Sequence, residues 1–254
     1  MKKLYIGTSG WLYQDWEGIF YPTGLSSKDK LKYFAQHFNT AEINYSFYHL
    51  PRPSTYQNWY QATPVDFIFA VKVSRFITHI KRLKGIKEAW QQFFQNALFL
   101  KEKLGPFLLQ FPPSFQATAE NIKRLKEFLT TATKPKKQTK ATAINWRLAM
   151  EFRHSSWCQS EIYNLLKKYN TAWVIADSPT WPKAEVVTAD FVYLRFHGQP
   201  ILFASPYGRA QLKVWAEKIK KWQKKNLDIY VYFNNDVAGY AIADAKTLLD
   251  LINK

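Results

Sequence analysis

Acidic, basic and amide side chains recur in this 254-residue chain just where short apolar runs end. Carboxylates and an imidazole can move protons near neutral pH, and a lysine amine can also act as a nucleophile. Five residues of these types are predicted to carry chemistry: Glu42, Lys72, Glu151, Asp177 and His197. Together they favour acid–base chemistry on a bound substrate.

A second set of side chains suits the holding of a substrate. Guanidinium groups bind phosphate or carboxylate through paired hydrogen bonds, amides orient polar groups, and aromatic rings stack on flat ones. Nine residues are predicted to bind substrate in these ways: Ser9, Trp11, Asn44, Gln110, Arg153, Trp157, Arg195, Tyr207 and Asn234. The two arginines and Lys72 indicate a small anionic ligand.

Three other interpretations of these residues stay open. A structural ion network is one, because three carboxylates balance three cations: Glu42, Glu151 and Asp177 against Lys72, Arg153 and Arg195. The carboxylates and His197 could instead hold a divalent metal, although three cations in the same place disfavour it. No metal ligand is therefore assigned, and the cofactor stays unknown. The aromatic residues near the site, Tyr48 among them, could stack on a ligand or only cover the site.

The elements that position these residues are eight apolar or β-branched runs separated by helical patterns. The predicted strands are Leu4–Thr8, Thr40–Tyr48, Phe67–Val73, Phe107–Phe111, Arg147–Phe152, Ala172–Ala176, Phe191–Phe196 and Ile229–Phe233. Regular alternation predicts a parallel sheet, because parallel neighbours need a crossover connection. Eight such units predict an α/β fold, a single parallel eight-stranded (β/α)8 TIM barrel over residues 1–254. An open doubly wound sheet is disfavoured, because Gly7-Thr8-Ser9-Gly10 does not match its Gly-rich first turn.

The segments between strands show apolar faces at helical spacing. One face contains Ile86, Trp90, Phe93, Ala97 and Leu104, and another contains Leu212, Trp215, Ile219 and Trp222. A last helix is predicted over Tyr240–Ile252. Thr130–Ala143 lacks large apolar residues and carries four lysines, so we expect an exposed, mobile loop away from the strands' carboxyl ends.

Alternate residues of a barrel strand point inward, and those near the carboxyl end line the mouth. This period of two places the polar residues above at one rim, with Ser9 and Trp11 just after the first strand. A buried polar group without a partner costs about 1–3 kcal/mol, so such residues are paired with one another or serve a ligand. Since enzymes of this fold react at this face, a ligand site is favoured over a structural network.

Composition sets limits on the class of protein. The chain carries 36 Lys and Arg against 19 Asp and Glu, a net charge of +17, which makes nucleic acid a possible partner. Basic outer helices that keep a protein soluble explain the same charge. A single cysteine, Cys158, and the lack of a signal sequence or a membrane span indicate a cytoplasmic protein without a membrane partner. The oligomeric state is left open.

Short motifs along nearly the whole chain resemble those of the YecE-like family, also called domain-of-unknown-function family 72. The matching segments are Ile6–Trp11, Phe38–Asn44, Phe47–Pro51, Phe69–Lys72, Thr78-His79, Gln110–Pro113, Glu151–His154, Tyr193–Gly198 and Tyr232–Asn235. The resemblance implies a TIM barrel and supplies no reaction, because the family has no settled activity. Asp236 and Asp244 depart from the residues expected in the family after the last strand.

The favoured function is an enzyme of unknown reaction class acting on an anionic substrate that is phosphorylated, carboxylated or derived from nucleic acid. Arg153, Arg195 and Lys72 would hold the anion, and Glu42, Glu151 or His197 would move a proton. Asn44, Gln110 and Asn234 would orient the substrate. The alternatives are a non-catalytic nucleic-acid-binding protein and a divalent-metal barrel resembling isomerases or endonucleases.

Overall fold

The computed structural model describes residues 3–132 and 146–254. Eight parallel strands close into one barrel in sequence order, with the last strand paired to the first. The strands are β1 (Leu4–Ser9), β2 (Thr40–Ile43), β3 (Ile68–Lys72), β4 (Leu104–Gln110), β5 (Leu148–Glu151), β6 (Ala172–Asp177), β7 (Phe191–Phe196) and β8 (Asp228–Phe233). The predicted parallel (β/α)8 TIM barrel is confirmed.

Most helices cover the outside of the barrel, and the short α2 lies at its mouth. They are α1 (Lys30–Phe34), α2 (Tyr45–Tyr48), α3 (Pro53–Gln61), α4 (Lys87–Ala97), α5 (Ala119–Ala132), α6 (Ser160–Lys168), α7 (Arg209–Lys224) and α8 (Tyr240–Asn253). The predicted apolar faces pack inward: α4 buries Trp90 and Phe93, and α7 buries Trp215 and Ile219. Burial of these large side chains between helix and strand is the main favourable term holding the outer layer to the barrel.

Three elements differ from the sequence prediction. The second strand ends at Ile43 and not at Tyr48, because the chain turns into α2, where the Ser46 hydroxyl donates to the carbonyls of Ile43 and Lys72. The fourth strand begins at Leu104, which was assigned to the preceding helix; the positive φ of 50° at Lys101 interrupts that helix. No helix joins β6 to β7 within the described residues 178–190.

The predicted loop at Thr130–Ala143 falls mostly outside the described residues. Its first three residues, Thr130–Ala132, form the last turn of α5, so the prediction is wrong for them. Residues 133–143 lie outside the described ranges.

Tyrosines fill the inside of the barrel below the site. Tyr5 stacks on Tyr230 with ring centroids 4.9 Å apart, and the Tyr232 hydroxyl lies 2.8 Å from Thr40 Oγ1. Strands β1 and β2 approach so closely that a Cβ on Gly7 would lie 2.0 Å from the Thr40 carbonyl oxygen, so only glycine fits there. This packed interior gives the polar groups above it a rigid floor.

Among the helices of the described ranges, none has the length and apolar character needed to cross a bilayer.

Candidate functional site

A buried ion network lies at the carboxyl ends of the strands, with Arg195 of β7 at its centre. The guanidinium donates from Nη2 to Glu42 Oε1 at 2.7 Å and from Nε to Glu42 Oε2 at 3.0 Å. Its Nη1 donates to Glu151 Oε2, also at 2.7 Å. All three side chains are fully buried, and one arginine bridges two carboxylates from opposite sides of the ring.

Every oxygen of Glu42 is hydrogen-bonded. The Ser9 hydroxyl donates to Oε1 at 2.6 Å, and the Tyr193 hydroxyl donates to Oε2 at 2.7 Å, in addition to Arg195. Burial alone would raise the pKa of Glu42, but the positive charges of Arg195 and Lys72 hold it below its usual value. Glu42 is therefore an anion at neutral pH, held in place by donors from two strands, β1 and β7.

Glu151 is held in the same way on the other side. Arg153 Nε donates to its Oε1 at 2.8 Å while Arg195 takes Oε2. Burial opposes ionisation, yet Arg195 and Arg153 hold the pKa of Glu151 well below its usual range. Both carboxylates are thus fixed as anions by cations that belong to the network.

A cavity of about 670 Å³ opens above this network. Neither carboxylate lines it, and neither does Arg195 or His197. Five of the predicted site residues with polar side chains do line it: Asn44, Lys72, Gln110, Arg153 and Asn234. The side chains that a ligand would meet are therefore different from those that form the buried network.

Lys72 is the last residue of β3 and reaches the cavity from below. Its Nζ lies 4.3 Å from the centroid of the Phe47 ring and makes no hydrogen bond or ion pair with any residue of the described ranges. Only 8% of the residue is exposed. Burial and the charge of Arg195 lower the pKa of Lys72 to about 7, although Glu42 and Glu151 act in the opposite direction.

Arg153 forms a second wall of the cavity. Its guanidinium carbon lies 3.4 Å from the centroid of the Trp181 ring, a cation–π stack that fixes the plane of the group. Nε is used on Glu151, and none of the described residues accepts a hydrogen bond from its terminal nitrogens. Its two terminal nitrogens therefore remain free to donate to a ligand.

His197 follows β7 and is completely buried beneath the cavity. Neither ring nitrogen has a hydrogen-bond partner among the described residues, and the 3.7 Å from Nε2 to Glu151 Oε2 is too long for one. The ring packs edge-on against Trp181 at 4.7 Å. Burial lowers the pKa of His197 to about 4, which keeps the imidazole neutral.

Of the other predicted residues, five lie in or beside the site, and Asn44 is one that lines the cavity. Ser9 bonds Glu42, and Asn234 Oδ1 accepts from Arg195 Nη2 at 3.0 Å. Gln110 and Trp11 line the cavity wall, where Trp11 packs edge-on against Trp59.

The prediction that Asp177 and Tyr207 face the mouth is wrong. Ala172 and Val174 of β6 point into the barrel, so Asp177, an odd number of residues further along, points outward. There it accepts from Trp215 Nε1 at 3.0 Å and from Lys183 Nζ at 2.8 Å. The Tyr207 ring packs edge-on against Phe196 on the outer face of β7, and its hydroxyl donates a hydrogen bond to the Asp177 carbonyl oxygen.

The prediction that Trp157 lies at the mouth is also wrong. The indole is fully buried between Phe115 and Phe152, and its Nε1 donates to the Phe115 carbonyl at 2.6 Å. An indole between two rings with its one donor satisfied is a packing residue.

Sequence reasoning missed several residues that line the cavity: Tyr13, Phe47, His79, Phe203 and Asp236. His79 Nε2 lies 3.3 Å from Gln110 Nε2, and burial lowers the pKa of His79 to about 4. Burial raises the pKa of Asp236, which accepts from Asn234 Nδ2 at 3.2 Å. Phe47 lies in α2, which the sequence prediction assigned to the second strand, and the others lie beyond the strand ends, where counting along strands cannot reach them. The Thr78-His79 motif and the departure at Asp236 were the available signals.

The described residues contain no group of three or more His, Cys, Asp or Glu side chains placed to hold a metal ion. The oxygens of Glu42 and Glu151 are already engaged by arginine. The residues expected as metal ligands in the alternative interpretation are therefore not arranged as a ligand set.

Solved structures share this fold over its full length. A DUF72 family protein of Thermotoga maritima is 28% identical, with a TM-score of 0.86 over 99% of this chain and 100% of its own. A DUF72 family protein of Enterococcus faecalis is 21% identical, with a TM-score of 0.82 over 99% of this chain and 96% of its own, which supports the fold alone.

Sequence relatives give the same assignment. The UPF0759 protein YunF of Bacillus subtilis is 26% identical over 98% of this chain and 95% of its own length. The UPF0759 protein YecE of Escherichia coli K12 is 30% identical over 44% of this chain and 39% of its own. Residues 5–254 match the model of the family described as "Protein of unknown function DUF72". The chain belongs to the DUF72 family.

Proposed function

We propose that this protein is an enzyme that acts by acid–base chemistry on a small anionic substrate bound in the cavity at the barrel mouth. The observation that carries the proposal is an imbalance of charge. Arg195 and Arg153 together balance Glu42 and Glu151, so an ammonium at Lys72 has no carboxylate left to pair with in the network. Lys72 Nζ and the two terminal nitrogens of Arg153 face the cavity as donors that no described residue accepts. A phosphate or carboxylate would complete these two groups.

The residues that line the cavity and those buried beneath it are assigned different roles. Glu42 and Glu151 hold the cations in place, because each of their oxygens already accepts a hydrogen bond and their pKa values are lowered. Proton transfer is then assigned to titratable groups that line the cavity and have shifted pKa values. These are Lys72, His79 and Asp236. Asn44, Gln110 and Asn234 orient the substrate.

Anion binding tests the proposal. Inorganic phosphate and pyruvate are titrated into the protein by calorimetry, and saturable binding of at least one is expected. Arg153→Met is expected to weaken binding about tenfold or more, because a charge-assisted hydrogen bond contributes about 1.5–3 kcal/mol. Arg209→Met, which removes an exposed arginine at the start of α7, is the matched control and should leave binding unchanged.

Turnover is tested on a small-molecule extract of cells incubated with the protein and followed by mass spectrometry. An anionic compound should be consumed by the wild type and spared by Arg153→Met. Binding of neither anion, together with no compound consumed, contradicts the proposal.

A second candidate function, single-stranded nucleic acid binding, has one observation in its favour. Twelve large hydrophobic side chains are exposed among the described residues. Nine of them follow the carboxyl ends of strands, and the other three, Val65, Phe99 and Val214, do not. Among the nine, Phe76 has Lys81 Nζ 5.6 Å from its ring centroid, and the exposed Arg52 and Arg75 follow Tyr48 and precede Phe76 closely in the sequence. Aromatic rings beside cations suit stacked bases and their phosphates.

Salt dependence distinguishes this candidate. Fluorescence anisotropy with a labelled oligothymidylate should show affinity that falls steeply as salt is raised, because phosphate contacts release counterions. Tyr48→Ala should weaken binding by about 1–3 kcal/mol if a base stacks on the ring. Val65→Ala, at an exposed site between α3 and β3, is the control. Undetectable binding at low salt removes the candidate.

A further inference from the structure

Two lysines of the described chain are buried to a similar extent but have opposite surroundings. Lys103 is 4% exposed, and its Nζ donates to the Tyr60 and Thr63 carbonyls at 2.6 Å and 2.7 Å. Lys72 is 8% exposed and has no acceptor for its Nζ among the described residues. Lys103 is therefore satisfied as a cation, whereas the Lys72 amine has only the Phe47 ring below it and the cavity in front of it.

The charged groups around Lys72 are those of the network and the cavity wall. Arg195 and Arg153 disfavour its protonation, and Glu42 and Glu151 favour it. His79, the other titratable group coupled to it, is kept neutral by burial at neutral pH. With a pKa of about 7, a large fraction of the Lys72 amine is unprotonated at neutral pH, and the unprotonated amine is the nucleophilic form.

We propose that Lys72 is a covalent nucleophile that forms an imine with the carbonyl carbon of an aldehyde or ketone whose anionic group is held by Arg153. This inference rests on the proposed function, because it uses the same cavity and the same anion, and it specifies the substrate class as an anionic carbonyl compound. The cavity supplies the geometry: Lys72 and Arg153 both line it, so one small molecule can contact the two groups.

The step uses only the lysine and the substrate. The amine nitrogen attacks the carbonyl carbon, the carbon–oxygen π bond breaks, and a nitrogen proton passes to the oxygen to give a carbinolamine. The remaining carbon–oxygen bond then breaks as the carbon–nitrogen double bond forms, and water leaves with both amine protons. A proton from solvent then adds to the imine nitrogen and restores one positive charge at the position of the ammonium, which the neighbouring Glu42 and Glu151 favour.

Reductive trapping tests this inference in the wild-type protein. The chain is incubated near pH 7 with sodium cyanoborohydride and either glyoxylate, which carries a carboxylate, or glycolaldehyde phosphate. Modified lysines are then mapped by mass spectrometry of the digest. We expect at least about tenfold more modification at Lys72 than at Lys103, whose Nζ donates to two carbonyls, or at exposed lysines outside the cavity. The more efficient probe identifies the anionic group as carboxylate or phosphate.

Variants separate the two proposals. Lys72→Met should abolish the adduct, and Arg153→Met should reduce the rate of trapping at Lys72 about tenfold. Site mapping in the wild type needs no variant, so a variant that fails to fold leaves the test intact. Anion binding without an adduct at Lys72, or modification spread evenly over the lysines, overturns the imine and leaves the proposed function standing. An adduct at Lys72 that Arg153→Met does not affect overturns the assignment of Arg153.

Discussion

Replacement of Arg195 by methionine is expected to lower the free energy of unfolding by about 3–5 kcal/mol. Arg195 is fully buried, and its guanidinium is the shared partner of two buried carboxylates. Its removal leaves Glu42 with only hydroxyl donors and Glu151 with only Arg153, and an uncompensated buried charge costs about this much. The loss is a large share of a typical domain stability of about 5–15 kcal/mol. Urea unfolding followed by tryptophan fluorescence measures it.

The control for this variant is an ion pair that remains in contact with water. Lys218 Nζ lies 2.6 Å from Glu185 Oε1, with about a third of each side chain exposed. Lys218→Met should therefore cost no more than about 1 kcal/mol, because solvent screens such pairs. An Arg195 variant that is no less stable than this control would show that the network does not hold the barrel mouth together.

A triple variant keeps the test decisive where Arg195→Met does not fold. Combining it with Glu42→Gln and Glu151→Gln removes the charges that Arg195 neutralises, so part of the lost stability should return. Recovery would assign the loss to unpaired charge, whereas no recovery would assign it to packing of the arginine stem.

The fold was predictable because each strand of a parallel barrel is apolar on both faces and the runs are evenly spaced. The aromatic run after β2 was misread because Tyr45–Tyr48 has strand-like composition but is drawn into a helix by the Ser46 hydroxyl. Composition describes one segment at a time, whereas this turn depends on the Lys72 carbonyl of a neighbouring strand.

Counting alternate residues located most of the polar rim, since Glu42, Lys72, Glu151 and Arg195 all point inward. The count failed at Asp177, because Val174 faces inward and Asp177, three residues further along β6, faces outward. The sequence could not show which of these residues are buried beneath the cavity and which line it. The difference depends on pairing between side chains: Arg195 is hydrogen-bonded to both glutamates, whereas Lys72 lines the cavity.

The polar rim contains two layers. The buried layer fits the interpretation as a structural network, and the layer that lines the cavity fits the interpretation as a ligand site. Glu42, Glu151 and Arg195 satisfy one another and are shielded from the cavity, as a structural network requires. Lys72 and Arg153 lie at the boundary of that network and line the cavity. The buried layer fixes the charges that set the properties of the exposed layer, so substitutions in the two layers should have different consequences for stability and for binding.

Lowering the pH from about 7.5 to about 5 is expected to destabilise the protein by about 2 kcal/mol through His197 alone. Burial lowers the pKa of His197 from 6.5 to about 4 in the folded chain. Between these values the unfolded chain binds a proton that the folded chain does not, so stability is full above about pH 6.5 and falls as pH decreases toward 4. Urea unfolding at the two pH values measures the change, and His197→Leu should remove it.

Other titrating groups affect this interval in known directions. His79, with its pKa also lowered to about 4, adds to the loss, and Asp244, with its pKa raised to about 6, opposes it. Glu42 and Glu151 contribute little above pH 5, because their folded pKa values are lowered and an unfolded glutamate titrates near 4.3. Stopping at about pH 5 therefore isolates the histidines from the acid loss of the ion network.

The exposed His49 provides the matched variant, since His49→Leu removes an imidazole that is not buried. If the wild type and His49→Leu lose the same stability over the interval while His197→Leu loses about 2 kcal/mol less, the neutral buried imidazole is the source. A pH response unchanged by His197→Leu would mean that the ring takes up its proton as readily in the folded chain as in the unfolded chain, and at about pH 5 Glu151, 3.7 Å from Nε2, would be its counter-ion. In that case the charge of the buried layer would rise by one, and the positive potential at Lys72 and Arg153 would rise with it.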